Sequence, residues 1–279
     1  MRRVALTPDI QTSALGFGCA SVLGARSAQE SAFALDRAFA LGVRHFDLAP
    51  SYGFGQAEAF VGKQLANRRD QITITTKFGI QPNWKARVLQ PLKPVVRRVK
   101  RWLPTNGVTI PTNPAPAASP TATGPFLNRV EMTGPALRLS LENSLRRLRT
   151  DYVDCLFLHE APAGLDRWDE LLEVADELRR AGKIKAFGTA GYDAQPRQDL
   201  PVLWQTCAPT DPTGYQRLAT ASSKPTVLFS PLSAAVCPER PTARLGQVFM
   251  DFPDSVILCS MFSEKHLLAN VTAANLPTT

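Results

Sequence analysis

The stretch VRHFDLAPSYGFGQAEAFVGKQLAN, residues 43–67, reads as a strand, a turn and a helix in succession. Val43 to Ala49 is a short apolar run. Pro50, Ser51, Gly53 and Gly55 break it, and Gly55 to Asn67 carries apolar residues at helical spacing. The same unit recurs along the chain. SALGFGCA (13–20) leads into AQESAFALDRAFALG (28–42), whose apolar side is read as Phe33, Leu35, Ala38, Phe39 and Leu41, with Gly42 as the stop. QITITTK (71–77) is a β-branched strand. GPALRLSLENSLRRLRT (134–150) places Leu137, Leu141, Leu145 and Leu148 on one helical stripe, and DYVDCLFLH (151–159) is the strand after it. DRWDELLEVADELRRAGK (166–183) is an amphipathic helix with a glycine stop, followed by the strand IKAFGTA (184–190). PVLWQTC (201–207), PTVLFSPLS (225–233) and SVILCSM (255–261) are further strands. Helices are expected at about 213–223, 241–252 and 263–274.

Near-continuous apolar strands alternating with helices indicate an α/β protein with parallel strands covered on both faces. An open doubly wound sheet and a closed (β/α)8 TIM barrel compete. No GxGxxG follows an early strand, which weakens the open sheet, and the count of strands favours the barrel. The 279 residues match such a barrel as one domain, 1–279. The rhythm fails over 80–133, read as an insertion after strand three. Eight basic residues stand there against one acid, so most of the net charge of +8 belongs to this segment. Its middle, TNGVTIPTNPAPAASPTATGP (105–125), is rich in Pro, Thr and Ala.

Composition narrows the function classes. The five cysteines form no CxxC, and there are three histidines, so a disulfide framework or metal centre is not expected. No apolar run is long enough to span a membrane, and the N-terminus lacks a signal-peptide core. A cytoplasmic protein is the expectation. Nucleic-acid binding is not expected, because the basic segment interleaves few aromatics, such as Trp84 and Trp102, among its charges. The mixed basic and apolar VVRRVKRW leaves a membrane-surface reading of 85–104 open beside two others, a lid over the site and a solvated loop.

A barrel gathers its strand C-termini on one face, where such folds carry their chemistry. Strand two ends at Asp47 and runs into Tyr52. Strand three ends at Lys77 and strand four at His159. Each has an ordinary structural explanation, but together they form a proton-transfer set. A lysine ammonium beside a phenol favours the phenolate, and a carboxylate keeps that lysine charged. A histidine donor polarises a carbonyl oxygen, and the tyrosine exchanges a proton with it. Such a set moves protons but not electrons, so it calls for a hydride-carrying cofactor.

FDLAPSYGFGQAEAFVGKQL, with its aspartate, alanine, tyrosine and glycine at fixed offsets, resembles the aldo-keto reductase signature. ITITTKFG and DYVDCLFLHEA resemble that family's lysine and histidine strands. LRRAGKIKAFGTAGY, VLFSPLSAA and SEKHLLANVTAANLP resemble its later, cofactor-binding segments. The resemblance implies a TIM barrel and an NAD(P)-dependent oxidoreductase that interconverts a small aldehyde or ketone and an alcohol. The branch acting on sugars and small aldehydes is the nearest, including aldose dehydrogenases. Tyr52 would be the acid/base, Lys77 its tuner, Asp47 the lysine's partner and His159 the carbonyl-orienting group. Thr189, Gln205, Ser230, Leu232, Ser260, Ser263, His266 and Asn270 would bind the cofactor, NADP with NAD open, and Lys265 lies close by.

The sequence departs from the family at two places. Thr189-Ala190 stands where Ser-Asn is usual, and the loop after strand eight reads CSMFS. These departures support an alternative, a catalytically weak binding or regulatory subunit that retains the cofactor site.

Overall fold

The computed structural model describes residues 1–89, 125–192, 202–232 and 241–276. Along the chain the strands are β1 (Arg3–Thr7), β2 (Ile10–Ser13), β3 (Leu15–Gly18), β4 (His45–Asp47), β5 (Thr73–Phe78), β6 (Ile80–Pro82), β7 (Leu127–Arg129), β8 (Val153–His159), β9 (Ile184–Gly191), β10 (Leu203–Cys207), β11 (Val227–Phe229) and β12 (Val256–Cys259). The helices are α1 (Ala28–Ala40), α2 (Ala57–Gln64), α3 (Trp84–Leu89), α4 (Gly134–Leu148), α5 (Trp168–Arg180), α6 (Pro212–Thr220), α7 (Pro241–Asp251) and α8 (Glu264–Ala274).

Eight of these strands close into a parallel barrel in the order β3, β4, β5, β8, β9, β10, β11, β12. It is the (β/α)8 barrel expected from the alternating pattern. Each expected strand coincides with one barrel strand, β5 and β9 running one residue past the expected ends, although 201 and 233 lie outside the described residues. Strand register defines the inner face. Gly16, His45 and Thr73 share one level, and Lys77, Phe157 and Gly188 share another. Gly16 is required to be small, since a Cβ there would lie 2.5 Å from Leu258 Cδ2 and 3.2 Å from the His45 ring.

Local sequence sets the helix ends. Ser27 and Glu30 form a capping box at the start of α1. Thr133, Asp211 and Ser263 each accept a backbone N–H at the starts of α4, α6 and α8. The expected glycine stops are present, with Gly42 at φ +90 and Gly182 at φ +70. Leu137, Leu141, Leu145 and Leu148 all lie in the core. One residue of the α1 reading fails: Leu35 and Ala38 are buried as expected, with Ser31 and Ala34 beside them, and Phe39 and Leu41 pack against the core, but Phe33 is 51% exposed. At the helical angle of about 100° per residue, position 33 lies on the opposite side of α1 from this buried stripe, so the ring falls on the outer side.

Two pieces of regular structure had no counterpart in the sequence reading. β1 and β2 pair as an antiparallel hairpin, and β2 runs into β3 at the N-terminal end of the barrel. The roots of the 80–133 segment are ordered as well. β6 and β7 pair antiparallel, Ile80 with Arg129 and Pro82 with Leu127, and α3 follows β6. The pairing residues are separated by 45 to 49 positions, beyond any local pattern. Residues 90–124 lie outside the described residues, and with them most of the 85–104 reading. No helix among the described residues is long and apolar enough to cross a membrane.

Candidate active site

Register brings the strand ends together. Asp47 pairs with Thr75 and with Gly18, and Lys77 stands two residues beyond Thr75 on the same inward face. The side chain of Lys77 is 2% exposed. Its Nζ donates to Asp47 Oδ2 at 2.7 Å, to the Leu48 carbonyl at 2.9 Å and to the Tyr52 hydroxyl at 3.1 Å. All three donor positions of the ammonium are therefore used. Tyr52 reaches back over the strand end because the chain turns sharply there. Gly53, Phe54 and Gly55 all have positive φ, at 59°, 59° and 89°. Gly53 must lack a side chain, since a Cβ would lie 2.5 Å from the Val22 carbonyl oxygen. The His159 ring meets the Tyr52 ring edge-on, with centroids 6.3 Å apart.

Gln205 joins this group from across the barrel. β10 lies diametrically opposite β4 in the closed ring, yet Gln205 Nε2 donates to Asp47 Oδ1 at 3.3 Å. Both carboxylate oxygens of the buried Asp47 are thus bonded.

Burial and charge set the protonation states. Burial alone disfavours the Lys77 ammonium, but Asp47 and Tyr52 outweigh it and hold its pKa above the ordinary value. Burial pushes the Tyr52 hydroxyl up to about 12, against the pull of the Lys77 charge. Tyr52 is therefore a protonated donor at neutral pH. Burial, with the charges of Lys77 and Arg129, pushes His159 down to about 3, so its imidazole is neutral. Burial and then Asp47 push the Cys19 thiol well up, so this neighbour is an uncharged wall.

The other sequence-predicted residues are more scattered. Thr189 is buried, and its register with Leu158 and Trp204 puts it on the opposite face from Ala190. Ala190 pairs with both His159 and Gln205 on the inner face. Ser230 is exposed with φ 55°, directly after β11, and Leu232 packs against the core. Ser260 follows β12, and its Oγ donates to the Gly18 carbonyl at 3.2 Å, next to the strand carrying Asp47. Ser263 caps α8, His266 is exposed in its first turn, and Asn270 is buried further along. These three belong to the helix and not to the hydrogen-bonded group around Lys77.

Several contributors escaped the sequence reading. The Leu48 carbonyl is backbone and has no signature. Gln205 was expected at a cofactor, not on Asp47. The roots of the insertion wall the site: Phe126 meets Phe54 edge-on at 5.7 Å, and Arg129 Nη1 donates to the Glu160 carbonyl, next to His159, at 2.8 Å. The position of the insertion directly after Lys77 was the available signal. Among the described residues, no group of three or more His, Cys, Asp or Glu is arranged to hold a metal ion.

Three buried polar atoms near the rim have no partner: His159 Nδ1, Thr189 Oγ1 and Gln205 Oε1. Buried polar atoms in a native site are normally bonded, so the inner-face pair, His159 Nδ1 and Gln205 Oε1, fits a ligand with its own donors and acceptors.

Comparison with known proteins agrees with this geometry. The aldo-keto reductase YhdN of Bacillus subtilis is 29% identical over 192 residues, covering 67% of this chain and 45% of that protein. D-threo-aldose 1-dehydrogenase of a Pseudomonas species is 29% identical over 186 residues, covering 63% and 49%. The chain thus spans about half the length of these curated relatives. Among solved structures, an aldo-keto reductase from Bacillus halodurans in its holo form superposes with a TM-score of 0.69 at 20% identity, over 100% of this chain and 91% of that one. One from Klebsiella pneumoniae in complex with NADPH gives 0.66 at 19% identity, over 99% and 90%. At such identities these two speak for the fold. The aldo/keto reductase family model matches residues 14–209, from β3 through β10, which span the Asp47, Tyr52, Lys77 and His159 positions, and the chain belongs to that family.

Proposed function

We propose that the chain is an NAD(P)-dependent oxidoreductase that interconverts an aldehyde or ketone, sugar-like in class, with the corresponding alcohol. One observation carries the reading: a single buried ammonium, Lys77 Nζ, bonds the Asp47 carboxylate and the Tyr52 hydroxyl at once. The reading takes 1–279 as one barrel domain with 80–133 as an insertion. The D-threo-aldose 1-dehydrogenase among the relatives supports the sugar-like class.

In the reductive direction, Tyr52 donates its proton to the carbonyl oxygen. The phenolate left behind is stabilised by Lys77, whose charge Asp47 maintains. His159, neutral across the physiological range, offers an imidazole N–H to the same oxygen and orients it. In the oxidative direction, Tyr52 as phenolate takes the alcohol proton. A bound nicotinamide supplies or accepts the hydride. The unpartnered Gln205 Oε1 on the inner face fits a carboxamide-bearing group at the rim, and Thr189, unpartnered on the opposite face of β9, is a candidate for another part of the cofactor. Ser230, Leu232, Ser260, Ser263, His266 and Asn270 are the further candidates for holding NADP, or NAD.

The test begins with fluorescence titration by NADPH and NADH. Binding of neither sinks the reading. With a cofactor bound, Tyr52→Phe should abolish turnover across a panel of aldehydes and aldoses and leave cofactor affinity nearly unchanged. A wild-type chain that binds cofactor but turns over no member of the panel favours the regulatory reading, which the Ala190 departure supports.

A further inference from the structure

Behind the proposed site, on the outer face of β5, lies a buried carboxylate that the mechanism does not use. Glu58 is 1% exposed and sits in the first turn of α2. Thr76 Oγ1 donates to its Oε1 at 2.6 Å, and Arg147 Nε of α4 lies 2.7 Å from its Oε2. Thr76 is fully buried and immediately precedes Lys77. Alternation along β5 puts the two on opposite faces, so Thr76 points to the helices and Lys77 into the barrel. Glu58 therefore grips β5 from outside at the residue next to Lys77.

The other end of this connection is Tyr52. α2 begins directly after the Tyr52–Gly55 turn, so the place where α2 docks sets where that turn stands. A second contact tightens the docking: a Cβ on Gly62 would lie 2.2 Å from the Leu148 carbonyl oxygen, so α2 lies directly on the backbone of α4. Apolar packing alone would hold the helix, since Ala57 and Val61 are also buried there. A buried carboxylate costs several kcal/mol of desolvation, which the 32% exposed Arg147 offsets only in part, but the pair does specify one geometry.

We propose that Glu58 is a positioning residue, which through Thr76 and Arg147 holds α2 in the one register that keeps Tyr52 within hydrogen-bond reach of Lys77. The inference rests on Tyr52 as the acid/base group of the proposed reaction. Glu58 makes no contact with the reacting groups, so its effect is on distance.

The test uses the full chain with bound cofactor. Thr76→Val removes the bond with little change of volume, Thr76→Ser restores it, and Glu58→Gln keeps an acceptor but loses the ion pair. Thr76→Val and Glu58→Gln should lower kcat by about ten- to a hundredfold at unchanged KM and cofactor affinity. They should also move the tyrosine limb of the kcat–pH profile upward, because a phenol further from the ammonium ionises less readily. Thr76→Ser should recover both. A residue of merely structural importance would instead lower Tm and leave kcat and the pH profile of the folded enzyme unmoved, and that result overturns the proposal. Wild-type chain without turnover would count against the functional reading only. In that case the ¹³Cζ shift of Tyr52, assigned by Tyr52→Phe, decides: a changed shift in Thr76→Val supports the positioning role, and an unchanged one refutes it.

Discussion

Replacing Lys77 by methionine separates the two things this ammonium does. The substitution keeps the buried stem and deletes the charge. At 2.7 Å from Asp47, the charge–charge attraction is about 6 kcal/mol at an effective dielectric near 20, and the attraction to a phenolate at 3.1 Å is about 5 kcal/mol. Desolvation offsets much of the first term while the pair is intact. Breaking the pair leaves the Asp47 carboxylate buried with only the Gln205 amide bond, which costs about 3–5 kcal/mol of stability. In urea this lowers the midpoint by about 1–2 M. Loss of the second term removes the stabilisation of the phenolate, and kcat should fall by about 10²–10⁴-fold. The double variant Asp47→Asn with Lys77→Met then discriminates. It should recover most of the urea midpoint, because no bare charge remains, and recover none of the turnover. Stability unchanged in Lys77→Met, or turnover restored in the double variant, would refute the coupling inferred from the geometry.

Three other perturbations probe separate parts of the argument. Gly53→Ala forces a Cβ to within 2.5 Å of the Val22 carbonyl at a φ of 59°, and should cost about 1–3 kcal/mol and most of kcat by displacing Tyr52; Gly164→Ala, with nothing within 4 Å, is the control, and equal thermal and kinetic effects at both sites would contradict the turn's role. His45 is fully buried and held neutral, its pKa pushed down mainly by burial to about 4, so the unfolded chain binds the extra proton below its own pKa near 6.5. Its contribution is fully present above pH 6.5 and is lost as pH falls toward 4, at about 1 kcal/mol per pH unit; His159, pushed down to about 3, adds an effect of the same sign. Urea midpoints measured from pH 7 to 4.5 should fall less steeply in His45→Gln, and parallel curves would exclude the assignment. Asp154 is buried against Arg69, Lys185 and the Ile74 N–H near the start of β8, so Asp154→Ala should cost about 3–5 kcal/mol in chemical unfolding while the kcat of the folded enzyme stays near wild type; a selective loss of kcat would mean that this cluster reaches the rim.

Much of the site was legible because its information is local. Asp47 and His159 end apolar runs and Lys77 ends a β-branched one, and short runs of this kind alternating with helices read as buried parallel strands. Once the strands close, their ends share one rim, so position in the run already marks position in the site. Tyr52 was legible through the Pro, Ser and Gly residues that force the chain to turn around it. The helix stops at Gly42 and Gly182 were legible for the same reason, since a left-handed residue excludes most side chains.

The remainder depends on distances that no short window contains. Asp47 and Gln205 are 158 positions apart and on opposite walls of the barrel, so their bond exists only because the ring closes at a diameter two polar side chains can bridge. The Leu48 carbonyl becomes the third acceptor for Lys77 only through its place at the strand end. The β6–β7 ribbon joins two ends of a segment whose composition suggested no order. Phe33 faces solvent because α1 turns its Ser31, Ala34, Leu35 and Ala38 side to the barrel and position 33 lies opposite that side, so hydropathy by itself misplaced the ring. Patterning along the chain set which residues are strand ends and which chemistry they carry. Ring closure and helix docking set which of them touch, because hydrogen bonds act over about 3 Å and periodicity fixes direction but not separation.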